Sequence, residues 1–418
     1  MKRLTALIIT LTMGFSLIGC AGSNASEQKS DLMADISAQK VNAPSNTAID
    51  TQAAAEFGVN LAQNCFDGDQ NLLISPLSIL CALAMTANGA RAQTLEQMEA
   101  AFGLPIEELN SYLRWYIASL PQGENYHLSL ANSIWLTEDL RFTPNTNFLQ
   151  RNADYYGADI YTAPFDASTC NDINSWVKDK TDGMIEEILE EINPYAVMYL
   201  VNALAFEAEW ASVYQKYDVS DGTFTKEDGT EREVEMMHAT ESRFLSDEFA
   251  TGFMKYYKNG SYAFVALLPK EGVSIEEYLS SLSGAKLCSL LDNVQNTPVI
   301  TAIPKFETAY SIELSEVLLK LGMSDAFNAE LADFSALGTS TNGNIFINRV
   351  LHKTFISVGE QGTKAGAATV VEMVDATGAI LVPDKRQEVI LDRPFVYLLI
   401  DCENGLPFFI GAMMDPAQ

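Results

Sequence analysis

The chain has 418 residues and carries 26 Lys and Arg against 55 Asp and Glu, a formal net charge of −29. That acidity excludes a general affinity for nucleic acid, heparin or anionic lipid, each of which needs a basic face. Hydrophobic residues make up 48%, enough for a large buried core, and no apolar run reaches the ~18 residues of a membrane span.

Lys2 and Arg3 open the chain, and residues 4–18 are mostly apolar and end in Gly19-Cys20, the layout of an export signal. Leu17-Ile18-Gly19-Cys20 resembles the bacterial lipobox. That resemblance implies lipidation of Cys20, which would anchor the protein to a membrane without a spanning helix. The alternative is an ordinary cleaved signal with an incidental cysteine. Residues 23–46 are rich in Ser, Ala, Asn and Gln and read as a flexible tether. Three parts are expected: a signal peptide over 1–19, a polar tether over 20–49 and one folded domain over 50–418.

In the folded part, Ala54, Phe57, Leu61 and Ala62 recur at helical spacing, and Asn71-Leu72-Leu73-Ile74 reads as a short strand. Ser75 is a natural N-cap, Pro76 opens a second helix, and Gly89 ends it. Its stripe is Leu77, Leu80, Cys81, Ala84 and Met85. A further helix is expected over 94–102, an alternating strand over 128–136, a helix over 170–189 and a buried strand over 197–206. Beyond Gly222 the chain is strand-rich, with strands expected over 263–268, 299–306, 345–358 and 395–400. Helices dominate the first half and strands the second, which points to an α+β fold in one cooperative domain. Cys65, Cys81, Cys170, Cys288 and Cys402 show no Cys-x-x-Cys pairing, so neither a zinc site nor an obligatory disulfide framework is expected. His127, His238 and His352 are the only histidines, and no Gly-x-Ser-x-Gly, His-Glu-x-x-His or Gly-x-Gly-x-x-Gly occurs. No catalytic centre, metal or cofactor is indicated.

Six stretches in order resemble the serpin family of serine protease inhibitors. They are Asn71 to Leu80 with Met85 and Gly89-Ala90; Ile173-Asn174-Ser175-Trp176-Val177 with Thr181-Asp182-Gly183-Met184-Ile185; Asn202-Ala203-Leu204-Ala205-Phe206 with Trp210; Ile303-Pro304-Lys305-Phe306; Ala332-Asp333-Phe334-Ser335; and Asp392-Arg393-Pro394-Phe395 with Phe409-Ile410-Gly411. Glu207-Ala208 departs from the family's usual Lys-Gly. The resemblance implies three β-sheets, eight or nine helices and an exposed reactive-centre loop before the C-terminal strands. It implies no catalytic role for this chain. The implied partner is a target serine protease, trapped covalently on a monomer.

The stretch from Glu360 to Met373 is similar to the hinge and loop of inhibitory serpins, whose insertion into a β-sheet is a general example of strand addition. A loop that becomes a central strand must lack proline, and after Glu360 the next is Pro383. Thr363, Ala365, Ala367, Thr369, Val371 and Met373 are small or apolar and suit burial, while the alternate set holds Lys364 and Glu372 and suits solvent. The hinge is therefore Glu360, Gly362, Thr363, Lys364, Ala365, Gly366, Ala367, Ala368 and Thr369. Thr363 is the first side chain that must slide between two strands, and it is short. Gly366 loosens the new strand by ~0.5–1 kcal/mol relative to alanine.

The family's hinge-to-bait interval puts the reactive bond at Ala376–Thr377, within a window over 375–379; counting back from Pro394 gives a position near Pro383. The small residues there point to an elastase-like or subtilisin-like target. A non-inhibitory serpin serving as a carrier is the alternative, and its hinge would hold bulky, charged or proline residues. By the resemblance, Ser75, Ser78, Asn202 and His352 form a polar cluster under the parting strands. Trp210, Lys305 and Glu360 lie where the loop enters. Read without the resemblance, Trp210 is plain core and Lys305–Glu360 an exposed pair of small worth. The expected location is outside the cytoplasm, lipid-anchored at the cell membrane or surface.

Overall fold

The computed structural model describes residues 29–32, 36–41, 47–363 and 387–417. A seven-stranded central sheet is built from β1 (Ser30–Asp31), β2 (Tyr126–Thr137), β3 (Asp159–Ala163), β4 (Met198–Glu209), β5 (Phe306–Glu313), β6 (Leu351–Val358) and β7 (Gly362–Thr363), in the order β1-β3-β2-β4-β7-β6-β5. A six-stranded sheet contains Leu72–Ile74, Phe244–Ser246, Ala250–Tyr256, Tyr262–Pro269, Phe395–Asp401 and Pro407–Met413. A four-stranded sheet contains Val219–Thr225, Glu231–Glu241, Val299–Pro304 and Gln387–Ile390, and Phe142–Pro144 pairs with Gly338–Ser340 as a small ribbon. With nine α-helices among the described residues, this is the expected α+β fold with its three large sheets.

The helix Pro76–Ala87 carries the polar cluster described below. The Ser75 hydroxyl accepts from the Ser78 amide at 3.3 Å, Pro76 occupies the first turn, and almost every side chain is buried. After it, Gly89 sits so close to Leu337 that a Cβ would lie 2.5 Å from the leucine Cβ. The main core includes Leu204 and Phe206 of β4, Ile356 and Val358 of β6, and the buried six-stranded sheet. A second core lies on the other face of the central sheet, where the helix Ala167–Lys180 packs Ile173, Trp176 and Val177 near Val201 and Ala203 of β4.

Several elements differ from expectation. The helix expected over 170–189 ends at Lys180, because Asp182 and Gly183 both take positive φ and the Gly183 amide closes on the Lys178 carbonyl at 2.8 Å. Residues beyond it are held by Asn174: its Oδ1 accepts from Ile188 at 2.9 Å and Leu189 at 3.0 Å, and its Nδ2 donates to the Leu189 carbonyl at 2.7 Å. The strand expected over 299–306 is two strands in different sheets, Val299–Pro304 and β5, parted at Lys305. The strand expected over 345–358 begins only at Leu351, where its partner β5 ends at Glu313.

The start of the folded part also lies earlier than expected. The first helix runs Thr47–Cys65, and part of the expected tether lies against the body. Ser30–Asp31 pairs with β3 as the outermost strand of the sheet, and Lys29 sits over the Tyr161 and Trp135 rings at 4.8 and 5.1 Å. The Gln150 amide donates to the Ser37 carbonyl at 2.9 Å. Unpaired backbone groups on β3 and two aromatic faces supply partners that a polar composition does not reveal.

Asn174→Ala removes all three bonds to residues 188 and 189. The expected loss is about 2 kcal/mol of stability, with faster amide exchange at Ile188 and Leu189. A denaturation midpoint and exchange pattern equal to wild type would contradict this account.

Candidate functional site

The sheet is unusual between β4 and β6. β7 pairs antiparallel with β4 on one side, Gly362 with Glu209 and Thr363 with Ala208, and with β6 on the other, Thr363 with Val358. Adjacent strands lie ~4.8 Å apart, so β4 and β6 stand about two spacings apart at this level. No strand pair among the described residues joins β4 directly to β6. Gly362 permits this seating: a Cβ there would fall 1.9 Å from the Ala208 carbonyl oxygen.

Thr363 is 2% exposed, and its hydroxyl hydrogen-bonds the Tyr257 hydroxyl. The Tyr257 ring stacks on Trp210 with centroids 4.4 Å apart and planes 9° from parallel. The Trp210 indole N–H donates to the Gly359 carbonyl at 2.8 Å, and its backbone N–H donates to the Gln361 carbonyl at 2.8 Å. The Tyr214 amide holds the Glu360 carbonyl at 3.0 Å, and the Gly359 amide closes the turn onto Gly362 at 3.0 Å. The turn before β7 is thus gripped through its own carbonyls by two aromatic residues.

Lys305, at the break between its two strands, pairs with Glu360 at 2.5 Å and Glu235 at 3.0 Å. Burial opposes the Lys305 charge, but the hydrogen bonds to Glu360 and Glu235 outweigh it and hold its pKa above the usual lysine value. Burial likewise opposes the Glu360 charge, but the hydrogen bond from Lys305, a backbone hydrogen bond and the Lys305 charge together outweigh it and lower the carboxyl below its usual range. Both side chains are partly exposed, so solvent screens the pair and its worth stays near that of a surface bridge.

Further down the same strands lies the polar cluster. The Ser75 amide donates to His352 Nε2 at 3.0 Å, which leaves the neutral ring's proton on Nδ1. The Ser78 hydroxyl donates to Asn202 Oδ1, and Asn202 Nδ2 donates to Asn132 Oδ1 at 2.7 Å. Asn132 Nδ2 in turn reaches the Tyr156 carbonyl at 3.1 Å. The Thr354 hydroxyl donates to the Leu73 carbonyl at 2.7 Å. Strands β2, β4 and β6 are each tied to the helical layer below through these groups.

The structure brings the expected residues into two groups. Trp210, Lys305, Glu360, Gly362 and Thr363 surround the upper end of β4 and β6, and Ser75, Ser78, Asn202 and His352 lie beneath. Lys364, Ala365, Gly366, Ala367, Ala368, Thr369, the reactive bond Ala376–Thr377 and the lipidation site Cys20 lie outside the described residues. The sequence reading missed Tyr257, Asn132 and Glu235, which no local pattern distinguishes. The five cysteines of the folded part are free, and burial pushes the Cys65 and Cys402 thiols up to about 12.

A sequence model described as serpin (serine protease inhibitor) matches residues 52–416. An uncharacterized serpin-like protein from Thermococcus kodakarensis is 31% identical over 373 residues, 87% of this chain and 85% of that protein. Leukocyte elastase inhibitor A from Rattus norvegicus is 30% identical over 362 residues, 83% of this chain and 93% of that protein. Among solved structures, the thermophilic serpin tengpin in its native state superposes with a TM-score of 0.87 at 47% identity, over 93% of this chain and all of that one.

Burial lowers the His352 pKa from 6.5 to about 4. The unfolded chain therefore binds a proton that the folded ring refuses between those values. The stability contributed by neutral His352 is complete above pH 6.5 and is lost as pH falls toward 4, amounting to roughly 3 kcal/mol. His352→Gln keeps an acceptor for the Ser75 amide without a titrating ring. Its denaturation midpoint should fall less steeply between pH 6.5 and 4 than that of wild type; equal slopes would show that another group governs the acid limb.

Proposed function

The chain belongs to the serpin family, and we propose that it inhibits serine endopeptidases as a suicide substrate. A protease attacks the loop at the bait carbonyl and forms an acyl-enzyme. The freed loop then enters the central sheet between β4 and β6 before water hydrolyses the ester. About 14 residues of extended chain at ~3.3 Å each carry the bound protease roughly 45 Å, far enough to press it against the inhibitor's opposite pole. The driving force is a native state held kinetically above its free-energy minimum. The chain lends no catalytic group; the chemistry is the protease's own.

The observation that carries this reading is β7, a strand of two residues paired on both sides with strands that do not pair with each other. Extending its register gives the inserted product residue by residue. Ala365 would lie between Phe206 and Ile356, and Ala367 between Leu204 and Thr354. Thr369 would lie between Asn202 and His352, the two strand members of the polar cluster. Short side chains in this set meet the main core. The alternate set departs from the simple expectation of a solvent face: Ala368 and Val370 would pass Ala203 and Val201, which the helix Ala167–Lys180 covers.

We place the reactive bond at Ala376–Thr377, within 375–379, and the target among proteases with a small primary pocket. The likeness to a leukocyte elastase inhibitor supports that choice. Export and lipidation at Cys20 would put the inhibitory domain outside the cytoplasm, as a monomer that needs no cofactor.

Mixing the protein with pancreatic elastase and with subtilisin tests the reading. An SDS-stable complex, a released C-terminal fragment beginning at Thr377 and a sharply raised melting temperature of the cleaved inhibitor are expected. A cleaved protein that melts where the intact one does, with protease activity undiminished, would favour the carrier class. Thr363→Arg would force an unpaired charge between β4 and β6 at a cost of several kcal/mol. That variant should be cut as a substrate and form no stable complex; a wild-type yield of complex would refute the insertion mechanism.

A further inference from the structure

Lys255 has no part in the mechanism above, yet its side chain is only 2% exposed. It lies on the strand Ala250–Tyr256, with the charged end among groups from two other segments, Glu241 and the stretch 210–214. Nζ pairs with Glu241 Oε1 at 2.8 Å and donates to the Ser212 carbonyl at 3.2 Å. It stands 4.4 Å from the Tyr214 ring centroid and 5.4 Å from that of Trp210. Taking an ammonium out of water is costly unless every side of it is met. Here one side meets a carboxylate, one a carbonyl and two meet aromatic faces, which attract cations through their quadrupoles.

Those two aromatic residues are the ones that grip the turn before β7. Tyr214 holds the Glu360 carbonyl through its amide, and Trp210 holds the Gly359 carbonyl through its indole. Trp210 also supports Tyr257, whose hydroxyl meets Thr363. One buried cation therefore ties both arms of the grip together. The chain of contacts runs Glu241, Lys255, Trp210, Tyr257, Thr363.

We propose that Lys255 is a positioning residue for the hinge, setting how firmly Gly362 and Thr363 stay seated between β4 and β6 in the uncut molecule. The proposal rests on the insertion mechanism proposed above. A hinge already seated needs only to extend once the loop is cut. A hinge that has left its place must first re-enter, and each delay lets water hydrolyse more of the acyl-enzyme. Lys255 thus controls the partition between trapping and turnover without touching the protease.

The test compares Lys255→Met, the double variant Lys255→Met with Glu241→Gln, and Lys255→Arg. The double variant leaves no carboxylate without its partner, which separates the effect from simple misfolding. Both methionine variants should consume roughly three- to tenfold more inhibitor per protease molecule trapped, the span expected for loss of a buried cation–π contact. The second-order rate of attack on the loop should be unchanged, and Lys255→Arg should behave as wild type. Amide exchange at Gly362 and Thr363 in the uncut protein should quicken in the methionine variants alone. Unchanged exchange and unchanged stoichiometry, even beside a lowered melting temperature, would reduce Lys255 to a structural residue and overturn the proposal. Failure of the wild-type protein to form any SDS-stable complex would sink the insertion mechanism instead. The exchange rates would then still decide whether Lys255 seats the hinge.

Discussion

A sheet normally gains stability by pairing every interior strand with its neighbours, because a buried backbone amide without a partner is costly. Here β4 and β6 are kept from each other by two residues, and one of them must be glycine because the Ala208 carbonyl lies where a Cβ would be. The rest of the molecule is arranged around that separation. Above it, carbonyl-directed bonds from Trp210 and Tyr214 fix the turn that feeds β7. Below it, Asn202 and His352 carry polar side chains toward the helical layer, where a closed sheet would ordinarily bury apolar ones.

The two groups do different physical work. The upper group is a matter of seating: aromatic stacking, a hydroxyl pair and a partly exposed ion bridge hold the turn before β7 in place. The lower group would resist the proposed insertion, since a strand passing between Asn202 and His352 would disturb their bonds to Ser78 and Ser75. Both serine partners belong to one end of a single helix, where capping already demands a hydroxyl at Ser75. A local requirement of the helix and a requirement of the sheet are met by the same side chains.

Much of this was legible in the chain itself. The helix Pro76–Ala87, its cap and its end follow from Ser75, Pro76 and Gly89, which act within one turn of backbone. The hinge reading rests on its own side chains, and past Thr363 it lies outside the described residues. The helices Ile106–Ser119 and Thr146–Tyr156 went unread, although Leu109, Tyr112, Leu113 and Tyr116 keep helical spacing in the first of them. The expected helix over 170–189 was too long because the apolar pattern continues past Gly183. There the left-handed backbone of Asp182 and Gly183, and the amide of Asn174, turn it into an irregular covering segment.

The amino-acid sequence alone determined the elements whose signals are local: caps, helical stripes and short apolar strands. Only the tertiary structure decided that Tyr257 meets Thr363 from 106 residues away, that Asn132 completes the cluster 70 residues from Asn202, and that Lys255 lies between two rings. It also decided that Lys305 parts two sheets and that Lys29 lies over the aromatic rings at the sheet's edge. The reason is geometric. A cap or a stripe depends on neighbours a few bonds away, whereas a pairing across strands depends on the register of the whole sheet, which no short stretch of residues specifies.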